Sequence, residues 1–144
     1  MSQQKQGQCL CGKVQIKALF EQLALGACHC GMCRKWTAGP FMEVACQGNA
    51  VVVLNGQENV KTYQSSEWAE RAFCNECGTH LFYRLKEADQ YYLNAWIFDD
   101  LPENLPFTSQ VYIDRKPNCY EFTNQTQNFT EADILAMINQ TDQS

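Results

Sequence analysis

Cys28, Cys30 and Cys33 put three thiols into six residues, in the run Cys28-His29-Cys30-Gly31-Met32-Cys33-Arg34. Three thiolates at this spacing can hold a zinc ion and leave its fourth position open, which separates a catalytic zinc from a structural one. Zinc with three thiolates carries a net charge of about −1, so it is a weak Lewis acid and a poor source of hydroxide. The same charge suits it to a fourth sulfur. It lowers the pKa of an incoming thiol and keeps the bound thiolate nucleophilic. The chemistry this cluster could do is the attack of a thiolate on a small electrophile, or the reverse.

The other six cysteines decide whether that reading is sensible. Cys9-x-Cys11 and Cys74-x-x-Cys77 form two further clusters, and Cys46 and Cys119 stand alone. The seven clustered thiols divide most simply as four and three. Cys9, Cys11, Cys74 and Cys77 would close one tetrahedral structural site, and Cys28, Cys30 and Cys33 would hold a second zinc, giving two Zn²⁺ per chain. A different partition, with Cys28 and Cys30 joining Cys74 and Cys77, satisfies the same spacing. Cys46 and Cys119 fit as small buried hydrophobes. His29 lies between two ligands and points away from them in an extended segment. His80 follows the second knuckle and suits a structural or supporting role.

These clusters need elements to position them. Gly7 to Lys17 reads as one strand with an irregularity at Gly12, which would set Cys9 and Cys11 on one face. Leu23 to Cys30 is an apolar run leading into the three-cysteine motif. Phe41 to Cys46 and Ala50 to Leu54 read as a hairpin about Gln47-Gly48-Asn49. Val60 to Tyr63, Arg71 to Cys74, His80 to Leu85, Gln90 to Phe98, Gln110 to Ile113 and Cys119 to Phe122 read as further strands. Thr130 to Gln140 is the one clear helix, with Thr130 as cap, Asp133 at the capping-box position, and Ile134, Leu135 and Ile138 on one face. The sum is a mainly β domain with one C-terminal helix, expected to span 1–144 with an ordered core over about 5–140.

Size and charge set the outer bounds. At 144 residues and 45% hydrophobic content the chain can bury a core of its own. No apolar run approaches a membrane span, and the polar Met1 to Gln8 lacks a signal-peptide core. The expectation is a cytoplasmic protein, where nine cysteines mean metal ligands or catalysis rather than disulfides. The formal charge of −5 makes it a poor general binder of nucleic acid or anionic lipid.

The motif order resembles the glutathione-dependent formaldehyde-activating enzyme family, which includes the centromere protein V group. The resemblance rests on Gly7-Gln8-Cys9-Leu10-Cys11-Gly12-Lys13-Val14, on Cys28 through Lys35 with Gly39, and on Phe73-Cys74-Asn75-Glu76-Cys77-Gly78-Thr79. It implies a zinc-organised β fold related to that of methionine sulfoxide reductase B, and the same four-and-three division of ligands. It also implies a carbon–sulfur lyase chemistry, the joining of glutathione and formaldehyde into S-hydroxymethylglutathione. Pro117-Asn118-Cys119-Tyr120 departs from the family where many members carry a tryptophan after the proline.

A glutathione substrate carries two carboxylates, so its pocket needs a cation. Arg34 and Lys35 follow the last cysteine of the cluster and are the first candidates, Arg34 ahead for its bidentate grip. Trp36 suits a pocket wall or the core. Two other classes stand beside the enzyme. A zinc-stabilised binding module would want a basic patch, which this acidic chain lacks. A thiol redox enzyme would need a free nucleophilic cysteine in a late strand, and Cys119 is the candidate.

Overall fold

The computed structural model describes residues 2–143. Its first strand, β1 (Gln3–Gln8), ends at Cys9, where the chain turns back on itself. The Gly12 N–H donates to the Cys9 carbonyl and the Cys9 N–H to the Val14 carbonyl. Gly12 holds φ at +81°, a left-handed conformation that a side chain would strain. β2 (Gln15–Phe20) returns antiparallel to β1. The single irregular strand read from Gly7 to Lys17 is therefore two strands, and Cys9 and Cys11 lie in the knuckle between them.

β3 (Leu25–Cys28) carries the first sulfur of the triplet at its end. The chain then enters a short helix, α1 (Gly31–Thr37), which the sequence reading left without an element. α1 stops at Ala38, whose φ of 62° directs the chain into β4 (Phe41–Gln47). β5 (Val51–Asn55) does not form the expected hairpin with β4. β4 is flanked on both sides by other strands, so it offers β5 no free edge. A one-turn 3-10 helix at Gly48–Ala50 sends β5 to pair with β2 instead.

The remaining strands are β6 (Val60–Tyr63), β7 (Ala69–Cys74), β8 (His80–Leu85), β9 (Gln90–Asn94), β10 (Phe107–Val111) and β11 (Gln127–Phe129). The last third of the long run to Phe98 leaves the sheet as a 3-10 turn, Ala95–Ile97. A three-stranded sheet has the order β1-β2-β5, and an eight-stranded sheet the order β11-β10-β3-β4-β9-β8-β7-β6. β10 runs parallel to both its neighbours, and the other pairings are antiparallel. The chain from Cys119 to Phe122 is not a strand, and Cys119 is exposed rather than buried. There the Lys116 ammonium donates to the carbonyls of Pro117 and Tyr120 and holds the segment as a closed loop.

The large sheet has two unlike faces, and register assigns them. Val44, Leu93, Phe82 and Ala72 lie opposite one another across β4, β9, β8 and β7, and all are buried. They meet Ile16 and Phe20 of β2, and Phe20 sets its ring edge-on to Phe98 at 5.7 Å. The other face carries a row of Tyr92, Tyr83 and Arg71, with Glu43 further along β4. Because side chains alternate, this second row cannot join the core.

The C-terminal helix α2 (Glu131–Gln143) starts as the sequence indicates. The Asp133 N–H donates to Thr130 Oγ1 at 3.2 Å and the Thr130 N–H to Asp133 Oδ2 at 2.9 Å, a complete capping box.

Candidate active site

The knuckle after β1 and the turn after β7 meet at four sulfurs. Those of Cys9, Cys11, Cys74 and Cys77 all lie within 4.8 Å of one another. Cys9 and Cys11 are separated by 3.6 Å and Cys11 and Cys74 by 3.8 Å between sulfurs. A zinc tetrahedron with bonds of about 2.3 Å sets its sulfurs roughly 3.8 Å apart, so the donor set fits zinc closely. The backbone supports the cluster, with Val14 N–H donating to Cys9 Sγ at 3.3 Å. Gly78, at φ +77°, lets the second knuckle curl, and its N–H donates to the Cys74 carbonyl.

The second cluster forms where β3 hands over to α1. The sulfurs of Cys28, Cys30 and Cys33 also lie within 4.8 Å of one another. Cys30 is the N-cap of α1, and its sulfur accepts the Cys33 N–H at 3.3 Å. Hydrogen bonds from Cys28 and Cys33 hold the Cys30 thiol far down, to about 2, and the same contact pushes Cys28 far up. Three sulfurs this close ionise together only if a cation shares their charge. Their donor set therefore suits a zinc held by three thiolates.

A cation of the protein already faces this cluster. Arg71 is buried at 5% exposure, and its Nη1 donates to Cys33 Sγ at 3.5 Å. Its guanidinium lies 5.0 Å from the Trp36 ring centre and 4.8 Å from that of Tyr83, and its Nε donates to Ser65 Oγ. Among the described residues no carboxylate pairs with it. Burial works against its charge, and the sulfurs of Cys33 and Cys30 more than offset this. A buried guanidinium without a carboxylate needs another anion, and the sulfur cluster is that anion. Arg71→Gln is expected to weaken zinc retention at this cluster by about 10–100-fold in a chelator competition, leaving the four-sulfur cluster unchanged.

A cavity of about 630 Å³ opens on the triplet and not on the four-sulfur cluster. Cys28, Cys30 and Cys33 form its floor, with Glu43, Arg71, Tyr83 and Tyr92 on the sheet side. Ile134, Leu135 and Ile138 of α2 cover the opposite side. Ser66, another lining residue, holds its buried hydroxyl without a hydrogen-bond partner. Burial pushes the Tyr92 hydroxyl up to about 12 and the Glu43 carboxyl up to about 8.

The remaining sequence candidates separate clearly. Arg34 lines the cavity, and its Nε donates to the His29 carbonyl at 2.9 Å. Lys35 is exposed and does not line it. Trp36 packs between His80, stacked at 4.4 Å, and Phe41, and so stands behind the cavity. His29 is fully buried, and burial lowers its pKa. Its Nε2 is 2.7 Å from Gln110 Oε1 and its Nδ1 2.8 Å from the Tyr120 hydroxyl. A neutral ring protonated at Nε2 satisfies both, since the Gln110 amide nitrogen is spent donating to Thr126. His29 thus braces the segment between two sulfurs rather than adding a ligand. Cys119 does not line the cavity, so the redox reading that rested on it finds no site there. Sequence reasoning missed Arg71, Glu43 and Arg115, which line the cavity. A charged residue inside an apolar strand was the available signal for the first two.

Two cysteine clusters able to hold zinc, on a mainly β framework, define the class: one cluster ties the strands together and the other opens on a cavity. Within that class the chain belongs to the glutathione-dependent formaldehyde-activating enzyme family, whose model matches residues 4–115. A Schizosaccharomyces pombe protein named an uncharacterized lyase is 42% identical over 134 residues, 92% of this chain and 96% of its own length. A crystal structure of a Rhodobacter sphaeroides protein shares the fold, with a TM-score of 0.58 and 24% identity, covering 72% of this chain and 99% of that one. Among the described residues no helix is long and apolar enough to cross a membrane.

Proposed function

We propose that this chain is a zinc-dependent carbon–sulfur lyase acting on adducts of glutathione, or a similar thiol, with formaldehyde or a related small electrophile. The observation that carries the reading is the cavity: it reaches Cys28, Cys30 and Cys33 and none of Cys9, Cys11, Cys74 and Cys77. The family and the lyase-named relative support the same chemistry.

In this reading Cys9, Cys11, Cys74 and Cys77 hold a structural zinc, and Cys28, Cys30 and Cys33 a catalytic one. When bound at the triplet, zinc supplies a position for a thiol sulfur and stabilises its thiolate. The chain's own groups do the rest. Arg71 balances the negative charge of the cluster. Arg34 and Arg115, which line the cavity, take the substrate carboxylates in this reading, Arg115 by exchanging its present pairing with Glu131 at 2.9 Å. The unpartnered Ser66 hydroxyl offers a further hydrogen bond to the substrate. The apolar side of α2 keeps water from the reacting carbon.

The test combines metal counting with turnover. The purified protein is expected to hold two zinc ions per chain and to speed formation or cleavage of S-hydroxymethylglutathione. Two zinc ions without turnover of any thiol–aldehyde pair would instead favour a non-catalytic binding module.

A further inference from the structure

We propose that Glu43 is the catalytic group that carries the proton to and from the carbonyl oxygen of the aldehyde; this rests on the lyase reading above. The cavity offers few groups able to do so. The hydroxyls of Tyr83, Tyr92 and Tyr112 are pushed up by burial and hold their protons too firmly. Arg34, Arg71 and Arg115 do not give up protons near neutrality. Glu131 is committed to Arg115. Glu43 has no such commitment among the bonds described, and it lines the cavity.

Its placement is built into the sheet. Glu43 sits opposite Gly26 on β3, and Phe41 sits opposite Cys28. Glu43 and Cys28 are thus one strand apart and two residues along, on the face that bears the cavity. Two residues of strand span roughly 7 Å, room for a substrate's sulfur, carbon and oxygen between the cluster and the carboxyl. Gly26 makes the place for that carboxyl: a Cβ there would collide with Glu43 Oε1 and come within 3.0 Å of Ser109 Oγ. Tyr92 of β9 lies near Glu43, and the other titratable groups lining the cavity are Cys28, Cys30, Cys33, Arg34, Arg71, Tyr83, Tyr112, Arg115 and Glu131. Burial raises its pKa to about 8, near the pH at which a proton carrier works best.

In cleavage the Glu43 carboxylate takes the hydroxyl proton of the adduct. The freed O–H electron pair forms the C=O double bond, and the C–S bond breaks with its pair left on sulfur. The thiolate leaves and is protonated by solvent, and Glu43 returns its proton to solvent. Addition runs the same steps in reverse, so atoms, charge and protons balance in both directions.

The experiment follows cleavage of S-hydroxymethylglutathione by the zinc-loaded protein between pH 6 and about 9.5, in wild type, Glu43→Gln and Glu43→Asp. The wild-type kcat/KM should rise through about pH 8 and level off. Glu43→Gln should lose that rise and fall about 100-fold or more at the plateau, and Glu43→Asp should keep the rise with part of the rate. Thermal melts give a readout free of activity. Because burial raises the Glu43 pKa, the unfolded chain binds fewer protons than the folded one as pH climbs from about 4.5 to 8, so wild-type stability falls across that window. Glu43→Gln should remove this fall and melt no lower than wild type. A Glu43→Gln rate within threefold of wild type, with the rise intact, overturns the proposal and leaves the lyase reading standing. A folded wild type with two zinc ions and no turnover overturns both.

Discussion

Cys30→Ser is expected to stop turnover, to below about one thousandth of wild type, while the protein keeps its fold. The two halves of this result have separate causes. Cys30 is the N-cap of α1, and its sulfur accepts the Cys33 N–H. Serine is among the best N-cap residues, so its hydroxyl inherits that hydrogen bond and the helix keeps its start. A hydroxyl does not replace a thiolate as a ligand, and the proposed centre keeps only Cys28 and Cys33. Metal analysis should show one zinc per chain, and circular dichroism an unchanged spectrum. An unfolded Cys30→Ser protein would mean that this cluster holds the domain together, and the catalytic assignment would fall.

Cys74→Ser should give the opposite phenotype, a protein that fails to fold at 37 °C. Cys74 is fully buried, and its cluster joins the knuckle after β1 to the turn after β7. A cross-link between Cys9 and Cys74 closes a loop worth about 4 kcal/mol of chain entropy. The apparent binding energy of a structural zinc is larger, roughly 10–16 kcal/mol, and equals or exceeds the whole stability of an ordinary domain. Serine at this position would also leave a buried hydroxyl among thiolates. The melt of the wild type should move in the same direction on adding a strong chelator. A Cys74→Ser protein that melts within a few degrees of wild type would show that the four sulfurs do not carry the fold.

Much of the site was legible because its residues announce themselves. Cysteines are scarce and their spacing is local, so four and three was the simplest grouping, but spacing left a second partition open and the structure brings the sulfurs together as four and three. Local pattern also placed β6, β8 and the cap of α2, where alternation, aromatic content and the Thr130–Asp133 pair suffice. What stayed hidden depends on neighbours distant in the chain. Val51 to Asn55 looks like the partner of the preceding strand until β3 and β9 are seen to occupy both sides of it. Cys119 is apolar enough to be buried, yet Lys116 closes a loop beneath it and leaves it exposed. Arg71 and Glu43 look like solvated charges within strands. Only the register, which puts Val44, Leu93 and Phe82 on the opposite face, turns them toward the cavity.

α2 covers the cavity from outside the stretch that the family model matches. The family match ends at residue 115, and the helix that covers the cavity begins at Glu131. The sulfurs, Arg71 and Glu43 fall inside the stretch the family model matches, whereas Ile134, Leu135 and Ile138 fall beyond it. In the proposed reading the groups that do the chemistry lie in the matched stretch, and part of the cavity's apolar wall lies outside it. A graft of residues 116–144 between relatives would exchange the shape and greasiness of the roof while leaving the bond-making floor in place. Such a graft is expected to shift which thiol adducts are accepted while leaving zinc content unchanged, which turnover of several adducts alongside metal analysis would check.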